Sequence, residues 1–364
     1  MFEREEVHFV SEEFFHVFSL VQTILLVPSI VIYGLLVWVV THHSPRRIGN
    51  YKWYILVSST FGFIFTMASN LFRPYLLFPY PIMVIPSVDV LLKFMDIPQW
   101  LINVLLNIFF LNVLAFGYSI TCMFFFRFLQ TTRSPYLYLA SNMKLYFISY
   151  LIVGSIAIIS VMLPMNLSAV SNRELHEQMR LVDPIAYTRM EGHICVGIDY
   201  SINKFYILAI FDVCLLLCIC TVVILFSAYK CLRVLMSNHH FLSPKTLSLY
   251  RTLLNMLFIE VVGAAFTSWG LGITALLLLL LRVPVSGPLI TIGLLCADCY
   301  PFFVHLLVLC YVEPYRLAAY RLLRLEKLRR TQQTLAIEKS TDFTNLFRRI
   351  SVRPTPRNQE QAKY

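Results

Sequence analysis

Seven long apolar segments, separated by short polar connections, restrict this chain to a bundle of membrane-spanning helices. A helix needs about 20 apolar residues to cross a hydrocarbon core of about 30 Å. The segments lie near residues 18–40, 54–78, 100–126, 145–167, 205–228, 253–281 and 288–311. With 58% hydrophobic and only 14% charged residues, a chain of 364 residues is too apolar to be soluble and globular. The sequence therefore predicts an all-α integral membrane bundle of seven helices.

The distribution of basic residues predicts how the bundle is oriented, because Lys and Arg beside a membrane segment tend to stay cytoplasmic. The connections after the first, third and fifth segments contain no acids, and their bases are Arg46, Arg47, Lys52, Arg127, Arg133, Lys144, Lys230, Arg233, Lys245 and Arg251. The leader at residues 1–17 is acidic, which argues for a retained first helix and against a signal peptide. We expect this leader to be extracellular and the C-terminus to be cytoplasmic.

The region after the seventh segment carries much of the net charge of +10. Residues 313–330 have apolar positions at helical spacing with bases between them, which predicts an interfacial helix on the anionic inner leaflet. A simple stop-transfer cluster of charges is the alternative. Residues 331–364 are polar and aperiodic, which predicts a disordered cytoplasmic tail. The lipid bilayer accounts for this charge, so no nucleic acid partner is expected.

Ionisable residues inside the apolar segments are candidates for a binding site, because a charge in a membrane usually faces a partner or a water-filled cavity. Arg73, Asp212 and Asp298 lie in the predicted outer halves of their helices. We expect them to line a mostly apolar pocket that is open to the outside, together with the aromatic residues Trp100, Tyr206 and Trp269. In the alternative interpretation Arg73 only reaches the interface, the two acids are hydrogen-bonded packing residues and Trp269 belongs to the core.

Arg127 and Glu260 lie near the predicted cytoplasmic ends of the third and sixth segments. An ion pair between them would hold the bundle closed, although their depths differ by about two helical turns. Glu260 as a helix-packing residue is the alternative. Pro301 is predicted to kink the seventh helix and Pro164 to bend or end the fourth, since proline removes a backbone hydrogen bond.

Cysteine, histidine and glycosylation patterns in the sequence identify no further functional site. Cys195 is the one cysteine in a predicted outer connection, so it is either unpaired or bridges two molecules, which leaves a receptor dimer open. Asn166 fits the glycosylation pattern but lies at the predicted membrane edge, and we expect it to be unmodified. No HExxH motif, zinc-type Cys and His spacing or phosphate-binding loop is present in the sequence. We therefore predict no enzyme activity, cofactor or metal.

Four stretches give the chain a resemblance to nematode serpentine chemoreceptors of the class h, class i and Str superfamily. They are Ile48–Leu56 (IGNYKWYIL), Arg73–Pro79 (RPYLLFP), Leu242–Arg251 (LSPKTLSLYR) and Glu313–Arg316 (EPYR), in the order and at the membrane ends typical of that superfamily. The chain departs from the pattern at Phe124–Phe128 (FFFRF), where Arg127 lacks the usual acidic residue and Asn before it. It also lacks a proline near Val262, and Asp298–Pro301 reads DCYP where rhodopsin-like receptors have NPxxY.

The resemblance implies a G-protein-coupled receptor that binds a small environmental or pheromone-like molecule and activates a heterotrimeric G protein. It places Arg127, Tyr315 and Arg316 where activation or coupling takes place. The residues themselves add Glu260, as the partner of Arg127, and Pro301, as a kink on which the seventh helix would pivot. It also implies the plasma membrane, and the cilium of a sensory neuron, as the location. The alternative is a ligand-gated channel or transporter, since acids within a membrane also mark ion paths. We find no internal repeat, and an odd number of helices does not divide into two equal halves, which argues against a transporter.

Overall fold

The computed structural model describes residues 12–45, 48–77, 80, 82–86, 99–198, 204–237, 244–270, 274, 278 and 287–322. The described helices are α1 (Glu12–His43), α2 (Tyr51–Phe72), α3 (Gln99–Thr131), α4 (Leu137–Ser141), α5 (Met143–Ala157), α6 (Leu163–Ser168), α7 (Asn172–Val182), α8 (Pro184–Met190), α9 (Lys204–Ser237), α10 (Pro244–Ala264), α11 (Gly287–Tyr311) and α12 (Glu313–Leu322). One π-helical turn, Ile158–Met162, joins α5 to α6, and a second, Ala265–Trp269, continues α10. The predicted tail at 331–364 lies outside the described residues, as do residues 323–330 of the predicted interfacial helix.

Six stretches of described helix are long and apolar enough to cross a membrane: Glu13–His43, Tyr51–Phe72, Trp100–Thr131, Met143–Ser168, Ile207–Val234 and Leu289–Tyr311. Large apolar side chains on the surface of the bundle are exposed, for example Phe211 at 63% and Phe266 at 77%. Such a surface is stable when it faces lipid. The predicted all-α membrane fold is therefore confirmed. The sixth predicted segment corresponds to α10 and its π-helical turn, and most residues between 271 and 286 lie outside the described part of the chain.

Two prolines change the course of these helices. α2 ends at Phe72, where a helix to residue 78 was predicted, because Arg73 adopts a left-handed conformation with φ of 44° and Pro74 follows it. Pro164 lies in the first turn of α6, directly after the π-helical turn at Ile158–Met162. This turn widens the helix where Pro164 cannot donate a backbone hydrogen bond, so the fourth segment continues to Ser168.

A small folded unit, which we call the outer lobe, lies at the predicted outer end of the bundle. It contains an antiparallel sheet of order β1-β2-β4-β3, with strands β1 (Tyr75–Leu76), β2 (Ile82–Ile85), β3 (Ala169–Val170) and β4 (Ile194–Ile198). α7 and α8 pack on the sheet and bury Leu175, Met179, Ala186 and Met190 with Val84. The sequence predicted only connections outside the membrane here, apart from the end of the second segment, so the lobe was not predicted.

Local hydrogen bonds explain how the connection after α6 folds into this lobe. Ser171 and Glu174 form a capping box at the start of α7, and the Asp183 side chain accepts backbone hydrogen bonds at the start of α8. Cys195 is completely buried in the lobe core. Its thiol is therefore not exposed for pairing with a second molecule, which argues against the intermolecular alternative.

The main hydrophobic core lies at the predicted cytoplasmic half of the bundle, where α1, α2, α3, α10 and α11 converge. Tyr300 of α11 lies near the centre of this region, and its hydroxyl donates a 2.6 Å hydrogen bond to the Glu260 carbonyl of α10. Its ring packs against Gly263, where an added Cβ would lie 2.9 Å from Tyr300 Cε2. α10 and α11 can approach this closely only because residue 263 has no side chain.

Substitution of Gly263 tests this close approach. Gly263→Ala forces the hydrogen-bonded Tyr300 ring away, and overpacking of this kind costs about 1–3 kcal/mol. Gly154→Ala is the matched control, since no described atom lies within 4 Å of its added Cβ and both changes favour the helix equally. We expect the melting temperature of Gly263→Ala in nanodiscs to be about 2–8 °C below that of Gly154→Ala. Equal melting temperatures would contradict the packing described for α10 and α11.

Candidate functional site

Asp298 of α11 anchors a group of buried polar side chains in the predicted outer half of the bundle. Its side chain is only 9% exposed, and its Oδ2 accepts a 2.5 Å hydrogen bond from Gln22 Nε2 of α1. The Ser69 hydroxyl of α2 also lies within hydrogen-bonding reach of the carboxylate. The single proton of the Thr66 hydroxyl of α2 goes to the Gly62 carbonyl of the same helix at 3.3 Å, and the Asp298 carbonyl, at 3.5 Å, is its alternative acceptor. Asp298 thus connects α1, α2 and α11.

A small cavity, which we call the polar cavity, opens among the same three helices. Its polar walls are Gln22, Ser29, Thr66, Asn70 and Asp298, and its apolar walls include Leu25, Leu295 and Phe302. The cavity has room for about one water molecule. In this packing the cavity is too small for an organic molecule.

Arg73 lies beside the polar cavity. Its Nη2 donates a 2.8 Å hydrogen bond to Thr23 Oγ1 of α1, and its Nε donates to the Asn70 carbonyl at 3.3 Å. Thr23 follows Gln22 in sequence, and Asn70 lines the cavity. The side chain therefore crosses from α2 to α1, and the left-handed backbone of Arg73 at the end of α2 allows it to do so. Arg73 and Asp298 belong to one polar region.

The structure does not bring Trp100 or Asp212 into this region. Trp100 is 65% exposed, so it does not line an enclosed pocket. Asp212 is half-buried on α9, which packs on α3 and α6, whereas the polar cavity lies among α1, α2 and α11. The side chains of Tyr206 and Trp269 lie outside the described residues.

Arg127 of α3 is buried at the predicted cytoplasmic end of the bundle, with 3% of its surface exposed. Its guanidinium carbon lies 3.5 Å from the centre of the Tyr51 ring of α2, which is close cation–π stacking. Nη1 donates a 2.6 Å hydrogen bond to Gln130 Oε1, while Nε and Nη2 have no partner among the described residues. An aromatic ring and an amide therefore hold the arginine that lacks a neighbouring acid.

Glu260 of α10 is also buried, with 2% exposure, and neither carboxyl oxygen has a hydrogen-bond partner among the described residues. The ion pair between two described residues, Arg173 with Glu177, involves neither side chain. The predicted pair between Arg127 and Glu260 is therefore absent from this packing.

The other residues predicted at this end have packing roles. α11 runs through Pro301, which is buried and would lie 3.1 Å from a Cβ added at Gly62 of α2. Tyr315 is fully buried, and burial raises the pKa of its hydroxyl. This hydroxyl lies 2.8 Å from Ser44 Oγ, which itself donates to the Val40 carbonyl, so Tyr315 donates to Ser44. Tyr315 therefore anchors α12 to the end of α1.

Arg316 provides a second contact that holds α12 against the bundle. Its Nη1 reaches the Cys310 carbonyl at 3.5 Å, in the last turn of α11. An arginine at the carboxyl end of a helix interacts favourably with the unpaired carbonyls there. The EPYR motif thus holds α12 against α1 and α11.

The short helix α4, in the predicted cytoplasmic connection after α3, is held in place by α2. Asn50 Nδ2 donates to the Ser141 carbonyl at 2.7 Å, and the Tyr54 hydroxyl donates to the Ala140 carbonyl at 2.6 Å. Tyr138, within α4, is 70% exposed, and Tyr136, just before it, is 63% exposed. The connection therefore presents aromatic side chains on a fixed backbone.

Sequence reasoning missed Gln22 and Tyr51, the two residues that hold the predicted Asp298 and Arg127. A buried Gln in an apolar segment is a readable signal, since its amide needs a partner in hydrocarbon. Tyr51 stands at the start of a segment rich in aromatic residues and offers no comparable signal. Its role depends on how α2 is rotated toward α3.

The fold is an apolar helical bundle with a buried polar region at one end and a buried arginine at the other. The chain matches the family model of the serpentine type 7TM GPCR chemoreceptor Str over residues 18–320, and it belongs to that family. No curated protein matches it by sequence. The predicted resemblance is thereby confirmed, and the chain is a multi-pass membrane protein of a chemoreceptor family.

Removal of the Gln22 amide tests whether the Asp298 hydrogen bond stabilises the bundle. Gln22→Leu leaves a buried carboxylate without its closest donor, and this lowers the free energy of unfolding by about 1–3 kcal/mol. We expect the melting temperature in nanodiscs to fall by about 2–8 °C. Thr221→Val is the control, because this exposed hydroxyl bonds only to the Leu217 carbonyl of its own helix. If Gln22→Leu and Thr221→Val have the same melting temperature, the hydrogen bond from Gln22 to Asp298 does not stabilise the bundle.

Proposed function

We propose that the protein is a G-protein-coupled chemosensory receptor, which binds a small molecule at its outer face and activates a heterotrimeric G protein at its cytoplasmic face. The observation that carries this proposal is Arg127, buried and stacked on Tyr51 in a closed cytoplasmic core. A buried cation with two unpartnered nitrogens is costly, and such a residue is usually kept for function. Exposure of Arg127 to a partner is the step that we assign to activation.

The proposed ligand end comprises the polar cavity and Arg73. Because the cavity has room for about one water molecule, an organic ligand can enter only when α1, α2 and α11 move apart. The outer lobe lies over this end, since the Tyr75 ring of β1 packs 5.4 Å from the Phe15 ring of α1. The proposed ligand is a small molecule with a polar group that binds Asp298 or Arg73 and an apolar part that contacts the apolar walls of the cavity.

Helix α2 offers a physical connection between the two ends. Asn70 lines the polar cavity near one end of this helix, and Tyr51 stacks on Arg127 at the other. The two residues are about 28 Å apart along the axis, at 1.5 Å per residue. A displacement of α2 that widens the cavity would also move Tyr51 relative to Arg127. We propose this movement as the route from ligand to G protein.

The proposed docking surface for the G protein includes the α4 connection. Tyr136 and Tyr138 are exposed there, and α2 holds the backbone through Asn50 and Tyr54. Aromatic side chains on a fixed backbone suit a protein interface.

We also propose the plasma membrane, and the cilium of a sensory neuron, as the location. An ion channel or transporter is the second candidate, favoured by the buried acids Glu260 and Asp298.

Tyr51 variants test the arginine stacking. Tyr51→Leu removes the ring from Arg127 and should raise basal nucleotide exchange on a purified G protein about 2- to 30-fold, for a cation–π contribution of about 0.5–2 kcal/mol. Tyr51→Phe is the matched control, because it keeps the ring and removes only a hydroxyl with no partner among the described residues. Unchanged exchange in Tyr51→Leu at equal protein levels would remove the stacking from the mechanism.

Glu260→Gln separates this mechanism from an ion-pair lock. Since Glu260 has no ion pair in this packing, replacement by its neutral isostere should leave basal exchange at the wild-type level. Basal exchange is measured beside Tyr51→Leu at equal surface expression. A rise as large as that of Tyr51→Leu would restore the lock between Glu260 and Arg127.

Tyr138→Ala tests the docking surface. This side chain is 70% exposed and its loss should not lower the melting temperature, but we expect nucleotide exchange on the G protein to fall by 3-fold or more, roughly the loss of one contact worth 1 kcal/mol. Leu181→Ala, an 87% exposed apolar residue of the outer lobe, is the control on the opposite face. Equal exchange by the two variants would exclude Tyr138 from the interface.

A further inference from the structure

His176, on helix α7 of the outer lobe, bridges two backbone carbonyl groups. Its Nδ1 lies 2.8 Å from the Asn172 carbonyl oxygen of its own helix, and its Nε2 lies 2.9 Å from the Met190 carbonyl oxygen at the end of α8. A ring turned over about its axis would present carbon atoms to both oxygens and would lose both contacts. His176 therefore connects α7 to the carboxyl end of α8.

Both contacts are hydrogen bonds only when the imidazole carries a proton on each nitrogen. A carbonyl oxygen can only accept, and a neutral imidazole has one N–H donor and one bare lone pair. In the neutral form one lone pair therefore faces a carbonyl oxygen at 2.8 or 2.9 Å, which is repulsive. In the charged form both nitrogens donate, and the positive charge lies at the carboxyl end of α8, where the last carbonyls favour a cation.

The nearby carboxylates on α7 and α8 bind other groups. Glu177 pairs with Arg173 at 3.2 Å, while Glu174 and Asp183 accept the backbone hydrogen bonds that begin α7 and α8. The other titratable or charged residues around the imidazole are Arg180 on α7, Tyr187 and Arg189 on α8, and Glu191 and His193 in the turn that follows. Among the described residues, the hydrogen-bond partners of the His176 ring are thus the two carbonyls.

The end of α8 also joins the outer lobe to the membrane bundle. The Arg189 carbonyl, next to that of Met190, accepts a 3.3 Å hydrogen bond from the Tyr75 hydroxyl of β1. The Tyr75 ring in turn packs 5.4 Å from the Phe15 ring of α1. Because His176 and Tyr75 hold adjacent carbonyls, a change at His176 affects the contact between the lobe and α1.

We propose that the outer lobe binds a proton from the outer solution at His176, and that this proton fixes α7 and α8 over the outer end of the bundle. The imidazole is half-buried, so solvent reaches it, and histidine changes its charge between about pH 5 and 8. The folded lobe gains a second hydrogen bond when the proton binds, whereas the unfolded chain gains none. The lobe is therefore more stable in acid and loses this stability as the pH rises. The proposal concerns the lobe alone and does not depend on a ligand or a G protein.

The test measures amide hydrogen exchange of residues 187–193 in the purified full-length chain in nanodiscs, at about pH 5.5 and about pH 7.5, with the intrinsic effect of pH on exchange removed. We expect corrected exchange to be about 10-fold slower at the lower pH, because one charged hydrogen bond is gained. His176→Gln is neutral and His176→Lys is charged at both pH values, so each should lose this pH response. His16→Gln replaces an exposed histidine of α1 and is the matched control, which should keep the full response.

Three results would overturn the proposal. The first is equal corrected exchange at the two pH values in the wild-type chain. The second is a pH response in His176→Gln or His176→Lys as large as that of the wild-type chain, which would assign the response to another group. The third is a neutral imidazole at the lower pH, seen by nitrogen NMR of the ring resonance that these variants remove. If His176→Gln does not fold, His176→Lys and the wild-type chain decide the matter.

Discussion

Polar side chains within this bundle have no water to bind, so each one needs a partner inside the protein. The partners are often on another helix: Gln22 of α1 binds Asp298 of α11, Asn112 of α3 donates to the Phe61 carbonyl of α2, and His305 of α11 bonds the Ser59 carbonyl of α2. These bonds fix the rotation of helices whose outer surfaces are uniformly apolar. The apolar surface alone would leave that rotation undetermined.

Several exceptions to this rule lie in the two regions that we connect with function. Among the described residues, the Glu260 oxygens and two Arg127 nitrogens have no partner near the cytoplasmic end, and the Gln22 and Asn70 oxygens have none in the polar cavity. Unsatisfied buried groups reduce stability and persist where a ligand, an ion or a second conformation completes them. α2 contributes to both regions, and for this reason we propose its movement as the connection between them.

The charged members of both regions could be predicted from the sequence, because an ionisable residue in an apolar segment is conspicuous. Their partners could not, since whether Tyr51 meets Arg127 depends on helix rotation, which a nearly uniform apolar segment does not encode. The outer lobe was missed because strands such as Ile82–Ile85 are too short for periodicity to identify. Two local signals were readable: the Ser171 and Glu174 capping box, and Pro74, which requires α2 to end.

The most direct test of the receptor mechanism places the full-length chain with a purified heterotrimeric G protein in liposomes and follows two signals during a screen of small soluble and volatile compounds. One signal is nucleotide exchange on the G protein, and the other is ionic current across the same membrane without G protein. We predict that an active compound accelerates exchange and produces no current, and that Arg127→Ala loses the acceleration. A compound-dependent current in the absence of G protein would contradict the account and favour a channel.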